Sequence, residues 1–246
     1  AGNFVLNEDG SRKEVARPVD TDGNMYPIAE NSIWVGDYIW EDVNGDGIIN
    51  EKDRKIIGNP NPDFTFGWSN TLTWKNLELS FFFNGSYGNS VYNILRQNHS
   101  DPGGYGGKLS DVAKFARVGL IDPDGENVIG NVQVTNAGEA LVQRISLGGQ
   151  NNNDNNRISS RFVEDGSYIR LKNISLAYNL PHTFTDRMKI SWAQVYVNVQ
   201  NVFTLSKYSG YDPEVGAMGQ SVLLQGLDNG RYPSQRIYTA GIKFNL

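Results

Sequence analysis

Residues 64–87 read FTFGWSNTLTWKNLELSFFFNGSY, and they decide the fold. Phe64, Phe66, Trp68, Leu72 and Trp74 share one side of a period-two pattern, with only Asn70 off it. Thr65, Gly67, Ser69, Thr71 and Thr73 share the other. Strict alternation over this length predicts a β-strand with two chemically different faces. Leu77, Leu79, Phe81, Phe83 and Tyr87 then oppose Glu78, Ser80, Phe82, Asn84 and Ser86. Only Lys75 and Asn76 separate the two runs, so they form a tight hairpin.

The same pattern recurs three times. YIRLKNISLAYNL places Ile174, Leu176, Tyr178 and Leu180 against Asn173, Ser175, Ala177 and Asn179; Arg170 and Lys172 interrupt its apolar face, so the strand is expected to leave the apolar zone there. AQVYVNVQNVF sets Val195, Val197 and Val199 against Tyr196, Asn198 and Gln200. The last run sets Tyr238, Ala240, Ile242, Phe244 and Leu246 against Thr239, Gly241, Lys243 and Asn245. The class is all-β.

A soluble sandwich also alternates. The connectors separate the two readings. Long segments precede Asp63, run from 89 to 166 and run from 205 to 236; a two-residue turn and the modest link 181–192 fall between them. Long and short alternate, as in a transmembrane barrel with short turns on one rim and long loops on the other. Trp74, Tyr178 and Trp192 lie beside the short connectors; Phe64, Tyr87, Tyr168 and Tyr238 lie beside the long ones. Aromatic rings at both strand ends suit two interfacial girdles.

Bulk properties agree. The 246 residues carry a formal charge of −5, which excludes the basic footprint of a nucleic-acid binder. There is no cysteine for a disulfide, thiolate or thiol nucleophile. No apolar run approaches the ~18 residues of a membrane helix. The opening AGNFVLNEDG has neither the basic nor the apolar region of a signal peptide. Five strands cannot close a barrel, and open edges in lipid cost several kcal/mol per unpaired backbone group. The chain is therefore expected to be a fragment, completed by strands elsewhere.

Four stretches carry a family resemblance: GDYIWEDVNGDGIINEKDRKIIGNPNPDFTFGWSNTLTWKNLELSFFFNGSYGN at 36–89, RFVEDGSYIRLKNISLAYNLP at 161–181, VYVNVQNVFTLSKYSGYDPEVG at 195–216 and the tail RYPSQRIYTAGIKFNL. In this order they resemble the C-terminal region of the SusC/RagA family of TonB-dependent transporters. The tail resembles the terminal signal read by barrel-assembly machinery, with Leu246 where an aromatic is commoner. The resemblance implies the last strands of a large antiparallel transmembrane β-barrel, of about 22 strands with a plugged lumen. It implies a multi-pass outer-membrane protein of a Gram-negative cell, in contact with outer-membrane lipid. The plug and the earlier strands would lie in an N-terminal part, which would also contact the TonB complex. A SusD-like surface lipoprotein would be the partner, and glycans or peptides the substrates. Residues 1–246 would all belong to the barrel part, with 36–62 and 89–166 as extracellular loops. No enzymatic step is expected. The alternative is a secreted β-sandwich carbohydrate-binding module with a dockerin-like calcium loop.

That loop is Asp42-Val-Asn44-Gly-Asp46-Gly-Ile48-Ile-Asn50-Glu-Lys-Asp53. It matches D-x-[DN]-x-[DN]-G with an acid at position twelve. Ca²⁺ takes six to eight oxygens. Asp42, Asn44 and Asp46 would supply side chains, Ile48 its carbonyl, Asn50 an oxygen directly or through water, and Asp53 the twelfth-position carboxylate. Asp53 is shorter than the Glu of an EF-hand and closer to a dockerin loop. An Asx-rich turn without an ion is the alternative. Such a cage leaves no open catalytic position, so its role would be structural.

The other candidates read as structure. His99 and His182 are loop residues. GGYGG at 103–107 is a flexible loop, and GGQNNNDNNR at 148–157 is low-complexity and expected to be mobile. Asp122, Asp124 and Glu126 form a turn. Tyr105, Tyr208, Tyr211 and Tyr232 are loop aromatics able to stack on sugar rings or pack within loops.

Overall fold

A computed structural model describes residues 8, 15–104, 106–146, 152–215 and 224–245. Leu246, Tyr105 and residues 148–151, which entered the sequence reading, lie outside these. The chain divides into two compact units. One comprises residues up to Ile57 with Leu95–Ser159; the other comprises Gly58–Ile94 with Ser160–Leu246.

The second unit is built on five long strands: β1 (Phe64–Trp74), β2 (Leu77–Tyr87), β3 (Tyr168–Asn179), β4 (Trp192–Ser206) and β5 (Ile237–Asn245). All pair antiparallel, in the order β5-β4-β3-β2-β1. Register aligns the faces across the sheet. One row runs Trp74, Leu77, Tyr178, Val195 and Ile242; the next runs Leu72, Leu79, Leu176, Val197 and Ala240. On the opposite face Thr71, Ser80, Ser175, Asn198 and Thr239 form a polar row. Large apolar side chains stand in the open: Trp68 is 54% exposed and Ile242 67%. Among the described residues of this unit no second sheet covers them, which a sandwich would require.

The connectors sort by rim. Lys75 turns the first hairpin at φ 54°. Residues 181–192 hold a short helix, His182–Thr185, and a turn, Asp186–Met188. Ser191 returns to β5 through its backbone N–H, donated to the Asn245 carbonyl at 2.9 Å. At the other rim Ser90–Asn93 pairs with Val163–Asp165 and Leu227–Asp228 in a small sheet, with Val91 and Phe162 each only 1% exposed.

Arg170 and Lys172 are placed differently from the sequence reading. The β2–β3 register shifts between Phe82 and Phe83, leaving Lys172 unpaired. The β3–β4 register shifts between Gln200 and Phe203, where Asn201 has φ 52°. A one-residue bulge inverts the parity of everything beyond it. Leu171 and Ile169 therefore continue the apolar face, and Arg170 joins Asn84 and Thr204 on the polar one. The strand does not leave the apolar zone at Lys172; the bulge moves the charges to the other side.

Two glycines on the sheet are close-approach positions. The Phe66 ring lies where a Cβ on Gly85 would sit, 2.5 Å from its Cε1. Tyr196 covers Gly241 in the same way, and Lys243 Nζ lies 5.0 Å from the Tyr196 ring centroid.

Candidate functional site

The 42–53 loop is wound by its own carboxylates. Asp42 accepts backbone N–H groups from Gly45 (2.7 Å), Asp46 (3.2 Å) and Gly47 (2.8 Å). Asn44 donates its amide to Asp46 at 2.8 Å, and Asp46 accepts from Ile48 N at 3.1 Å. Ile48–Ile49 is pinned by parallel pairing with Arg17–Pro18. Asn50 caps the turn Glu51–Asp53: its oxygen accepts from Lys52 N, while Asp53 accepts from Asn50 N at 2.8 Å and Val43 N at 3.0 Å. The Asn50 N–H holds the Asp53 carboxyl below its ordinary range, against the opposing effect of burial and with the help of the Val43 and Asn44 N–H groups. Ile48 and Asn50 lie on the same loop, but the Asn50 side chain is committed to its cap. Among the described residues no three acidic or histidine side chains converge as a ready metal cluster. The donor set is all oxygen, which fits a hard cation such as Ca²⁺ and no softer metal.

The first unit holds a buried polar node that the sequence reading missed. The Arg144 guanidinium spans Asp37, at 2.9 and 3.3 Å, and also donates to the carbonyls of Glu30 and Ser32. Asn155 donates to Asp37 at 2.8 Å and accepts from Tyr38 N at 2.9 Å. Asn153 donates to the Tyr38 carbonyl, and its own carbonyl accepts from Trp40 Nε1. Residues 152–157, expected to be mobile, are therefore anchored, with Asn153 and Asn155 2% exposed. Composition alone hides this, because the partners lie more than a hundred residues upstream.

In the second unit Arg170 clamps the 207–236 connection to the sheet. It donates to Asp212, to Glu214 at 2.8 Å and to Ser234 and Thr204 hydroxyls. Lys172 reaches Glu214 at 3.1 Å. Burial works against ionisation of Asp212, but the Ser234 and Glu214 N–H groups and Arg170 outweigh it and hold its carboxyl below the ordinary range. Tyr208 is buried and donates to Asp228; burial first, then that carboxylate, pushes its hydroxyl far above the ordinary tyrosine range. Tyr208 is thus a packing residue, whereas Tyr211 and Tyr232 stand in solvent. Asp122, Asp124 and Glu126 do form a turn, stapled by Asn131. The His99 ring meets the Gly107 carbonyl at 2.7 Å.

No family model matches the chain. Curated relatives do. TonB-dependent receptor P3 of Formosa agariphila is 34% identical over 215 residues, 86% of this chain and 19% of the receptor. TonB-dependent receptor SusC of Bacteroides thetaiotaomicron is 29% identical over 206 residues, 83% of this chain and 17% of SusC. The chain belongs to the SusC/RagA-like TonB-dependent transporters. Among solved structures, that of the RagAB peptide transporter superposes with a TM-score of 0.56 at 25% identity, over 75% of this chain and 17% of its own. The chain spans about a fifth of the length of the curated relatives it matches.

Family membership explains the sheet. A SusC/RagA-like barrel needs one apolar and one polar face on every strand, and both are continuous here across all five. It also accounts for the open edges of β1 and β5, since five strands are a part of such a barrel and cannot close it.

Proposed function

We propose that this chain forms part of the barrel wall of an outer-membrane importer of large nutrients, oligosaccharides or peptides. The carrying observation is the two-faced five-strand sheet, whose uncovered apolar rows match a lipid-facing band and whose polar rows match a wet lumen. Similarity to receptors and transporters supports the reading. The whole importer draws energy through TonB, by way of a part outside this chain, and works with a SusD-like lipoprotein at the cell surface. It carries out no chemical step. The rim of Lys75 and residues 181–192 faces the periplasm; residues 36–62 and 89–166 face outward. The 42–53 loop takes Ca²⁺ through Asp42, Asn44, Asp46, Ile48, Asn50 and Asp53, and the winding of these oxygen donors onto one compact loop supports this.

The test is uptake by cells carrying the full-length transporter. Growth on a panel of oligosaccharides and peptides should identify substrates lost on deletion of the gene. That uptake should also stop when TonB is removed. Growth unchanged by either deletion on every substrate would defeat the proposal.

A further inference from the structure

Asn70 is the one break in the alternation of β1, and the register puts it on the apolar face. Its row runs Asn70, Phe81, Ile174, Val199 and Tyr238 across the sheet. The β1–β2 register carries no shift, so Trp68 and Leu72 share its face, with Phe83 and Leu79 diagonally opposite. At about 3.3 Å per residue, Asn70 lies about 20 Å along the strand from Phe64 and about 13 Å from Trp74. With strands tilted by about 40°, it stands about 10 Å inside the nearer end of the apolar band. The amide is therefore within the hydrocarbon layer and not at its rim. An amide carries two donors and two acceptor sites, and hydrocarbon satisfies none of them. Its same-face neighbours do little better. Phe81, Phe83, Leu72 and Leu79 have no polar side-chain atom, and Trp68 has a single donor. Among the described residues the Asn70 side chain has no hydrogen-bond partner. It is half-buried, whereas every other residue of β1 is exposed, and the Trp68 and Phe81 rings meet edge to face beside it at 5.2 Å.

β2 occupies one side of Asn70, and the other edge of β1 is open in this sheet. Residues in register on adjacent strands have Cβ atoms about 4.5–5.5 Å apart, within reach of an amide hydrogen bond. We propose that the strand adding to the β1 edge in the full-length transporter carries a polar side chain, an amide or a hydroxyl, opposite Asn70. The two form a hydrogen-bonded clamp on the lipid face, inside the bilayer. The chain spans about a fifth of the length of its curated relatives, so chain outside it is available to supply that strand. The edge position selects a strand over a second protein. A strand held by the backbone ladder sits beside Asn70 at a fixed distance, whereas a protein approaching through lipid meets Trp68 and Leu72 first, each more than half exposed. The proposal rests on the barrel-wall reading for the lipid and for the added strand.

The experiment is thermal unfolding of the purified full-length transporter in detergent, read by heat-modifiable gel mobility, with light scattering for the mass. Removing an unpaired amide from a lipid-facing position raises the midpoint; removing a paired one strands its partner and lowers it. Asn70→Leu should lower the midpoint without changing the mass. Asn70→Gln keeps donor and acceptor and should recover part of the loss. Val197→Asn, whose register partners Leu176 and Ala240 are both apolar, adds an unpaired amide and should lower the midpoint. Where a variant yields too little protein to melt, the assembled fraction in outer membranes should follow the same order. A midpoint raised or unchanged by Asn70→Leu, or equal in the Leu and Gln variants, would overturn the clamp; a loss in Val197→Asn then leaves the lipid-facing wall standing. A mass that falls with Asn70→Leu would assign the partner to a second copy and end the proposal. A Val197→Asn transporter as stable as wild type would sink the barrel-wall reading, and the clamp with it.

Discussion

Phe83 and Phe203 meet edge to face, 6.3 Å between ring centroids, although they lie on strands separated by β3. Leu171 sits between them in register and is 7% exposed, closed over by the two rings. The contact exists only because the bulge at Lys172 returns Leu171 to the apolar face. The same inversion sends Arg170 to the polar side, where it reaches Asp212. The extra Lys172 on β3, matched by Asn201 and Val202 on β4, therefore keeps the apolar band continuous and also lets Arg170 anchor Asp212 and Ser234.

Leu171→Arg should put a charge into the apolar band opposite Phe83 and Phe203. An arginine facing mid-bilayer costs about 2–4 kcal/mol, less near an interface. The substitution should reduce the heat-modifiable, assembled fraction in outer membranes. Lys172→Ala keeps the bulge and should assemble normally. Equal assembly of the two variants would show that Leu171 does not face lipid.

The Asp212 carboxyl is held below its ordinary value, so its contribution has a defined pH range. A depressed carboxylate stabilises above the unfolded value, about 3.9, and the stabilisation is lost as pH falls through the lower folded value. Limited proteolysis of the 207–236 connection should therefore be unchanged from neutral pH to about pH 4 and rise below it. Asp212→Asn keeps shape but removes the charge facing Arg170, and should raise cleavage already at neutral pH. Opening of the wild type near pH 6 would assign the clamp to another group.

Asp42→Ala with Asp46→Ala removes two anionic ligands from the 42–53 loop. Calcium titration of the assembled transporter should show a site at about 10⁻⁴–10⁻³ M, the range of extracellular modules, in wild type only. Identical heats in both proteins, or none in either, would leave the loop as a turn wound by hydrogen bonds.

The proposed function puts residues 89–166 outside the cell and the Lys75 turn in the periplasm. A cysteine at Asp154, whose side chain is 63% exposed, should react with an impermeant maleimide on intact cells. A cysteine at Lys75 should react only after the outer membrane is opened. The reverse pattern would invert the orientation.

Much of this architecture was legible because period-two alternation is a local signal. FTFGWSNTLTW and LELSFFFNGSY each declare two faces without reference to any partner, and their hairpin and pairing are as read. The bulge was not legible. Arg170 and Lys172 break the pattern in the same way whether a strand ends or a residue is inserted, and only the β2 and β4 partners distinguish the two. The small sheet of Ser90–Asn93, Val163–Asp165 and Leu227–Asp228 is too short to show a period. Asn153 and Asn155 looked like solvated low-complexity chain because their partners, Asp37 and Tyr38, are remote in sequence. Tyr208 could not be told from Tyr211 and Tyr232 by type; the buried Asp228 beside it makes the difference.

The central claim is that the apolar rows of this sheet face lipid and the polar rows face the lumen. Single spin labels at each position from Val195 to Val199, in the full-length transporter reconstituted in bilayers, test it most directly. Collision with oxygen, which partitions into lipid, and with a water-soluble nickel chelate should alternate with period two. Positions 195, 197 and 199 should favour oxygen, and 196 and 198 the chelate. Uniform access to the chelate at all five positions would contradict the membrane-spanning account.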